Sequence, residues 1–225
     1  MNEICASYAA SQLGIPNRLI HRDLVSAAAR YSPAELLGFD PRRGRIPGRR
    51  PYQAWYCALI NIYFCERFGL SLPVSFTDVM RLLPTLRPYP RPGSRHYYDA
   101  IYAVTHIVYT LNGYNSTRVR PPLLRRERSF LKDSMAWAIK QGDADTVAEI
   151  VDSLAGCGVE DDDARMIAGR EFILAQQRDD GGWGDENDEY GRFHSVWTCI
   201  DGLRDYAWRG RRVISERDGP NRARR

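Results

Sequence analysis

Four histidines, His21, His96, His106 and His194, are the side chains of this 225-residue chain best suited to holding a transition metal or moving a proton near neutral pH. His96, Asp99 and His106 fall on one helical stretch. Ten residues at ~1.5 Å rise separate His96 from His106 by ~15 Å, so one ion cannot take both. Asp99 and His106 share a face but stand ~10 Å apart along the axis, too far for side chains that lean the same way. A metal site must therefore draw on several helices. His106 comes from one and His194 from another, with Asp99 or Asp201 as a ligand or as the partner that orients one. Neutral imidazoles with a carboxylate and an open position suit zinc, iron or copper.

His106 also belongs to a stripe. Across 95–112, Ile101, Val104, Val108 and Leu111 recur at helical spacing, and Asp99, Tyr102, His106 and Tyr109 lie opposite them. Such a helix packs one side apolar and turns the other either into a cavity or into a hydrogen-bonded Tyr/His cluster of the core. If it lines a cavity, Asp99, Tyr102 and Tyr109 are the candidate acid/base or hydrogen-bonding groups, and the tyrosines suit an aromatic or isoprenoid substrate.

The elements that must position these groups are helical. Period-2 alternation is absent, and segments of helical length recur between Pro/Gly breaks, predicting helices over 3–13, 19–29, 52–68, 76–83, 95–112, 123–140, 143–156, 162–178 and 192–208. Breaks fall at the Arg/Pro-rich loop 39–51, at 84–94 and at 114–122. The stretch 52–68 is apolar nearly all round, which predicts an inner helix. One all-α domain over 1–208 followed by a flexible Arg-rich tail, 209–225, is the simplest division.

The formal net charge of +4 concentrates in loop 39–51 and in the tail. Neither offers interleaved aromatics, so nucleic-acid binding is not expected. Five cysteines without a CxxC pair point to reduced thiols and a cytoplasmic location. The N-terminus lacks the basic and apolar regions of a secretory signal, and the longest apolar run, 54–65, is well short of the ~20 residues of a membrane span.

The segment Phe172-Ile173-Leu174-Ala175-Gln176-Gln177-Arg178-Asp179-Asp180-Gly181-Gly182-Trp183-Gly184 carries its own chemistry of turning. Glutamine amides bond free backbone groups at a helix end, glycines accept positive φ, and a tryptophan plugs the turn. It resembles the glutamine–tryptophan repeat of terpenoid cyclases and protein prenyltransferase β subunits, which leads from an outer into an inner helix of an α/α toroid. The resemblance implies such a toroid here, with an inner helix opening near Tyr190-Gly191-Arg192-Phe193-His194. At that place prenyltransferases carry a zinc-binding histidine, and His194 is the matching position. Their Asp-x-Cys ligand pair does not occur in this chain, nor does a DDxxD diphosphate motif.

Glu160-Asp161-Asp162-Asp163 resembles the Asp-rich acid of class II cyclases, but it starts the outer helix, where first-turn acids are favoured anyway. Asp185, Glu186, Asp188 and Glu189 likewise precede a helix and lack calcium-loop spacing. The candidates are fewer than the helices of a closed ring, so the toroid is expected to be incomplete, and an open ring would leave apolar faces for a homodimer. The functional expectation is a metal-dependent small-molecule enzyme with His106, His194 and Asp201 around the ion. The alternatives are a non-catalytic toroid that serves as a binding or scaffold protein, and a metal-free cyclase using Asp161, Asp162 or Asp163 as acid.

Overall fold

A computed structural model describes residues 2–15, 18–120, 122–185, 187–204 and 213–214. They divide into two compact units, Met1–Tyr89 and Pro90–Arg225. The chain is mostly helical, as its punctuation predicts.

In the first unit α1 (Asn2–Gln12), α2 (Arg18–Ala28), α3 (Pro33–Leu37), α4 (Pro51–Arg67) and α5 (Phe76–Met80) follow in order, with 3-10 turns at Pro41–Arg43 and Leu83–Leu86. Two short helices exist because of their caps. Ser32 and Glu35, and again Ser75 and Asp78, form reciprocal capping boxes that satisfy otherwise free N–H groups. Along α4, Trp55, Ala58, Leu59 and Ile62 are fully buried, and the Trp55 indole donates to the Val79 carbonyl at 2.9 Å. The helix is not enclosed on every side, because Cys57 and Arg67 are exposed and Tyr56, Ile60, Asn61 and Phe64 are half-buried. The enclosed helices lie in the second unit.

There the order is α6 (Tyr97–Asn112), α7 (Arg125–Gln141), α8 (Ala144–Gly156), α9 (Ala164–Ala175) and α10 (Glu189–Leu203). Gly113 and Gly142 end α6 and α7 in the left-handed conformation, which costs a residue without Cβ little. α8 is the hub, packing against α6, α7, α9 and α10, and every residue from Thr146 to Gly156 is buried. Close approach is purchased with small residues. A Cβ on Gly169 of α9 would stand 2.5 Å from Val151 Cγ2, and one on Gly202 of α10 would stand 3.0 Å from the Ala148 carbonyl oxygen, both on α8. The strand content of the described residues is one two-residue parallel pairing of Arg118–Val119 with Val213–Ile214.

The turn between α9 and α10 is tied as its residue types require. Gln177 Nε2 donates to the Gly181 carbonyl at 2.8 Å, and Gly181 and Gly184 take positive φ. Trp183 is buried, with its indole donating to the Ile173 carbonyl at 2.8 Å. Apart from Val213–Ile214, the Arg-rich tail 209–225 lies outside the described residues.

Candidate functional site

The chemistry gathers where the first turns of α8 meet α6 and α10. Asp143 caps α8 by accepting the Thr146 N–H. Four residues apart on the helix it starts, Asp145 and Glu149 share one face. Asp188 caps α10 by accepting the Gly191 N–H, and that helix presents His194 and Thr198 to Asp145. From α6 come Tyr102, Thr105 and His106.

His194 joins the three helices. Its Nδ1 stands 3.1 Å from each Asp145 carboxylate oxygen, and its Nε2 stands 3.3 Å from the Tyr102 hydroxyl. Thr198 adds a 2.5 Å hydrogen bond to Asp145 Oδ1. Thr105 donates to Glu149 Oε2 at 2.8 Å. Among the described residues, donor atoms of Asp145, Glu149 and His194 lie within 4.8 Å of one another.

His106 is oriented from below. Its Nδ1 lies 2.8 Å from the Tyr102 backbone oxygen, and its ring stacks on the Tyr102 ring with centroids 4.5 Å apart. A carbonyl only accepts, so the Nδ1 carries the proton and the lone pair of the neutral ring sits on Nε2.

The electrostatics follow from burying acids together. Desolvation, then the neighbouring Asp145, hold the Glu149 carboxyl well above the usual carboxylate range, with the Thr105 hydrogen bond opposing. Glu149 is therefore the carboxyl of the pair that holds its proton to higher pH. The hydrogen bond to Asp145 raises the His194 imidazolium against the pull of burial. Burial, with His194 nearby, pulls His106 down to about 4, leaving it neutral. Burial and the Glu149 and Asp145 carboxylates push the Tyr102 phenol far up, so it stays a neutral phenol and is not a phenolate.

Of the residues singled out from sequence, Tyr102, His106 and His194 converge here, drawn from helices far apart in the chain. Tyr109 stands beside them: its ring meets His106 edge-on with centroids 5.6 Å apart, and its hydroxyl reaches the Glu149 backbone oxygen at 3.4 Å, not the carboxylate. Asp99 sits in the first turn of α6, buried, with Oδ2 3.8 Å from His96 Nδ1. Asp201 lies seven residues past His194, ~10 Å along α10, and pairs with Arg204 at 3.3 Å. Neither carboxylate joins the cluster that surrounds His194.

The acidic runs serve structure. Asp161 pairs with Arg170 at 2.6 Å, and Asp163 pairs with Lys132 at 2.6 Å and caps α9. Lys132 holds the Asp163 carboxyl below its usual range, the opposite of what a protonating acid needs. Asp162 is exposed. Asp185 and Asp188 accept backbone N–H groups of the turn, and Glu186 lies outside the described residues.

Asp145 and Glu149 are the functional candidates that the sequence reading passes over. Their signal was a carboxylate pair at helical spacing in which Glu149 interrupts the apolar run Thr146-Val147-Ala148-Glu149-Ile150-Val151. The chain matches no protein-family model, no curated protein and no solved structure. No helix among the described residues is long and apolar enough to cross a membrane.

Proposed function

We propose that the chain is a metal-dependent enzyme acting on a small molecule, with a divalent ion held by Asp145, Glu149 and His194. One observation carries the reading: two carboxylates and an imidazole from two helices present donor atoms within 4.8 Å of one another, and one of those carboxylates is fully buried with no basic side chain bonded to it among the described residues. The 3.1 Å between His194 Nδ1 and Asp145 suits two ligands of one ion, since donors ~2.1 Å from a zinc ion and ~100° apart stand ~3.2 Å from each other. Donors of one ion stand at most ~4.2 Å apart, close to the 4.8 Å within which all three donors already lie.

Zinc, iron(II) or copper suits this mixed set, and His106 offers Nε2 from the α6 side as a further ligand or proton acceptor. The ion would supply Lewis acidity at its open coordination position. Tyr102 hydrogen-bonds His194 and, as a protonated phenol, is placed to donate toward a bound substrate oxygen. The aromatic rims of Tyr98 and Tyr190 around this point support an aromatic or isoprenoid substrate. The Gln177/Trp183 turn into α10 supports an α/α toroid, incomplete in ring, as the scaffold.

Elemental analysis tests the reading. Chelator-stripped protein is reloaded with zinc, iron(II) or copper(II) singly, desalted and measured. Near-stoichiometric metal, lost in Glu149→Gln, Asp145→Asn and His194→Ala and weakened in His106→Ala, is expected. Protein that retains none of the three overturns it. The non-catalytic alternative, in which the Tyr/His cluster only fills space, predicts that these variants change stability while metal content stays at background.

A further inference from the structure

The outward face of α10 carries large apolar side chains that no described residue of the second unit covers. Tyr190 is 72 % exposed, Phe193 64 %, Trp197 47 % and Ile200 52 %. Their spacing is three, four and three residues, the a/d seam by which one helix pairs with another. Globular proteins seldom leave such a stripe in water, and a solvated helix face is normally polar.

We infer that α10 pairs antiparallel with α10 of a second copy of this chain across a two-fold axis, so that Tyr190 faces the partner's Ile200 and Phe193 faces the partner's Trp197. An evenly spaced seam is complementary to itself when reversed, which is the condition for an isologous contact. The antiparallel sense opposes the two helix dipoles and brings Arg204 at one C-terminus toward Asp188 and Glu189 at the other copy's N-terminus.

The area is of the right order. Aromatic side chains bury ~150–250 Å² each when fully covered, so the exposed parts of these four give ~450 Å² per copy and ~900 Å² for the pair. That is most of the ~1,200 Å² at which specific interfaces begin. The contact also adjoins the candidate centre, because the rings of Tyr190 and Trp197 lie 5.8 and 6.3 Å from the His194 ring. A second copy seated on the stripe covers that edge of the site. The pairing does not require a metal, so it stands or falls separately from the function proposed above.

Sedimentation equilibrium of the full chain from about 1 to 100 µM tests it, together with Phe193→Glu, Ile200→Glu and the control Ile167→Glu on an exposed position of α9. The wild type is expected at twice the 25.8 kDa of one chain. Each α10 variant is expected to weaken the dimer at least tenfold while keeping the wild-type circular dichroism, and the control to leave it unchanged. A wild type monomeric at 100 µM, dimers that survive both α10 substitutions, or equal weakening by Ile167→Glu would each overturn the assignment. An adduct with another macromolecule in place of the dimer would do the same.

Discussion

Glu149→Gln is the sharpest probe of the site, because it acts in opposite directions on the metal-free and metal-bound protein. Glu149 is buried with its carboxyl held well above the ordinary carboxylate range by desolvation and by Asp145. A group whose pKa is raised on folding contributes its full stability below the unfolded value and loses it as pH climbs toward the folded value. Between the ordinary and the raised value the unfolded chain ionises this group and the fold does not. The resulting cost is bounded by the span from an ordinary pKa near 4.5 to pH 7, about 2.5 units or ~3.4 kcal/mol. Glutamine has nearly the same shape, still accepts from Thr105 and carries no such cost.

Metal-free Glu149→Gln should therefore match the wild type near pH 4.5 and exceed it progressively, by up to ~3 kcal/mol, at pH 7. With zinc at about a thousandfold excess over Kd the order reverses, since ligand binding stabilises only the protein that can bind, by ~4.1 kcal/mol. Urea unfolding followed by circular dichroism at pH 4.5, 6 and 7.5, with chelator and with zinc, reads both effects. A variant uniformly less stable than the wild type without metal, with no gain toward neutral pH, would refute the account of Glu149 as a buried neutral acid.

Asp145→Asn removes the partner that raises His194, so the NMR titration midpoint of His194 should fall. The stability from that pair is present below the ordinary histidine pKa and lost as pH rises through the folded value. The metal-free variant should accordingly be less stable than the wild type by about 1 kcal/mol at pH 5.5 and converge with it by pH 9. Zinc binding at pH 6 should release more than one proton, from Glu149 and from His194 Nδ1, measured as the buffer dependence of the calorimetric enthalpy. Trp183→Phe leaves the buried Ile173 carbonyl without its indole donor and should lower unfolding stability by roughly 1–3 kcal/mol, while leaving metal stoichiometry intact.

The long helices were legible because apolar periodicity and Pro/Gly punctuation act over a dozen residues or more. The predicted 123–140 and 143–156 differ from α7 and α8 by a residue or two at the ends. α3 went unread although Ser32-Pro33-Ala34-Glu35 is a capping-box signature, because a five-residue helix has no periodicity to announce it. The α9–α10 turn was legible in mechanism, since its glutamine, glycines and tryptophan act locally on the backbone.

The site was half legible. Tyr102 and His106 stood out by type and spacing on one helix, and His194 by its place after the turn. Asp145 and Glu149 resembled ordinary acids near a helix start. What distinguishes them is that α8 is surrounded by four helices, a tertiary fact that its own sequence does not encode. Asp201 is a carboxylate on the same helix as His194, but seven residues of helix carry it ~10 Å away. Similarly, the apolar character of 52–68 suggested enclosure, yet α4 leaves Cys57 and Arg67 in water.

The contact of Gly202 with Ala148 turns α8 and α10 into a pair of calipers. Ala148 lies between Asp145 and Glu149 in sequence, and Gly202 lies eight residues, ~12 Å, along α10 from His194. With a Cβ at position 202 only 3.0 Å from the Ala148 carbonyl oxygen, the two helices would have to part, and the gap between His194 and Asp145 would open with them. The hydrogen atom that serves as the side chain of Gly202 thus sets the spacing of His194 and Asp145 at a distance, and under the proposed function a change there would alter which ion fits without altering a ligand.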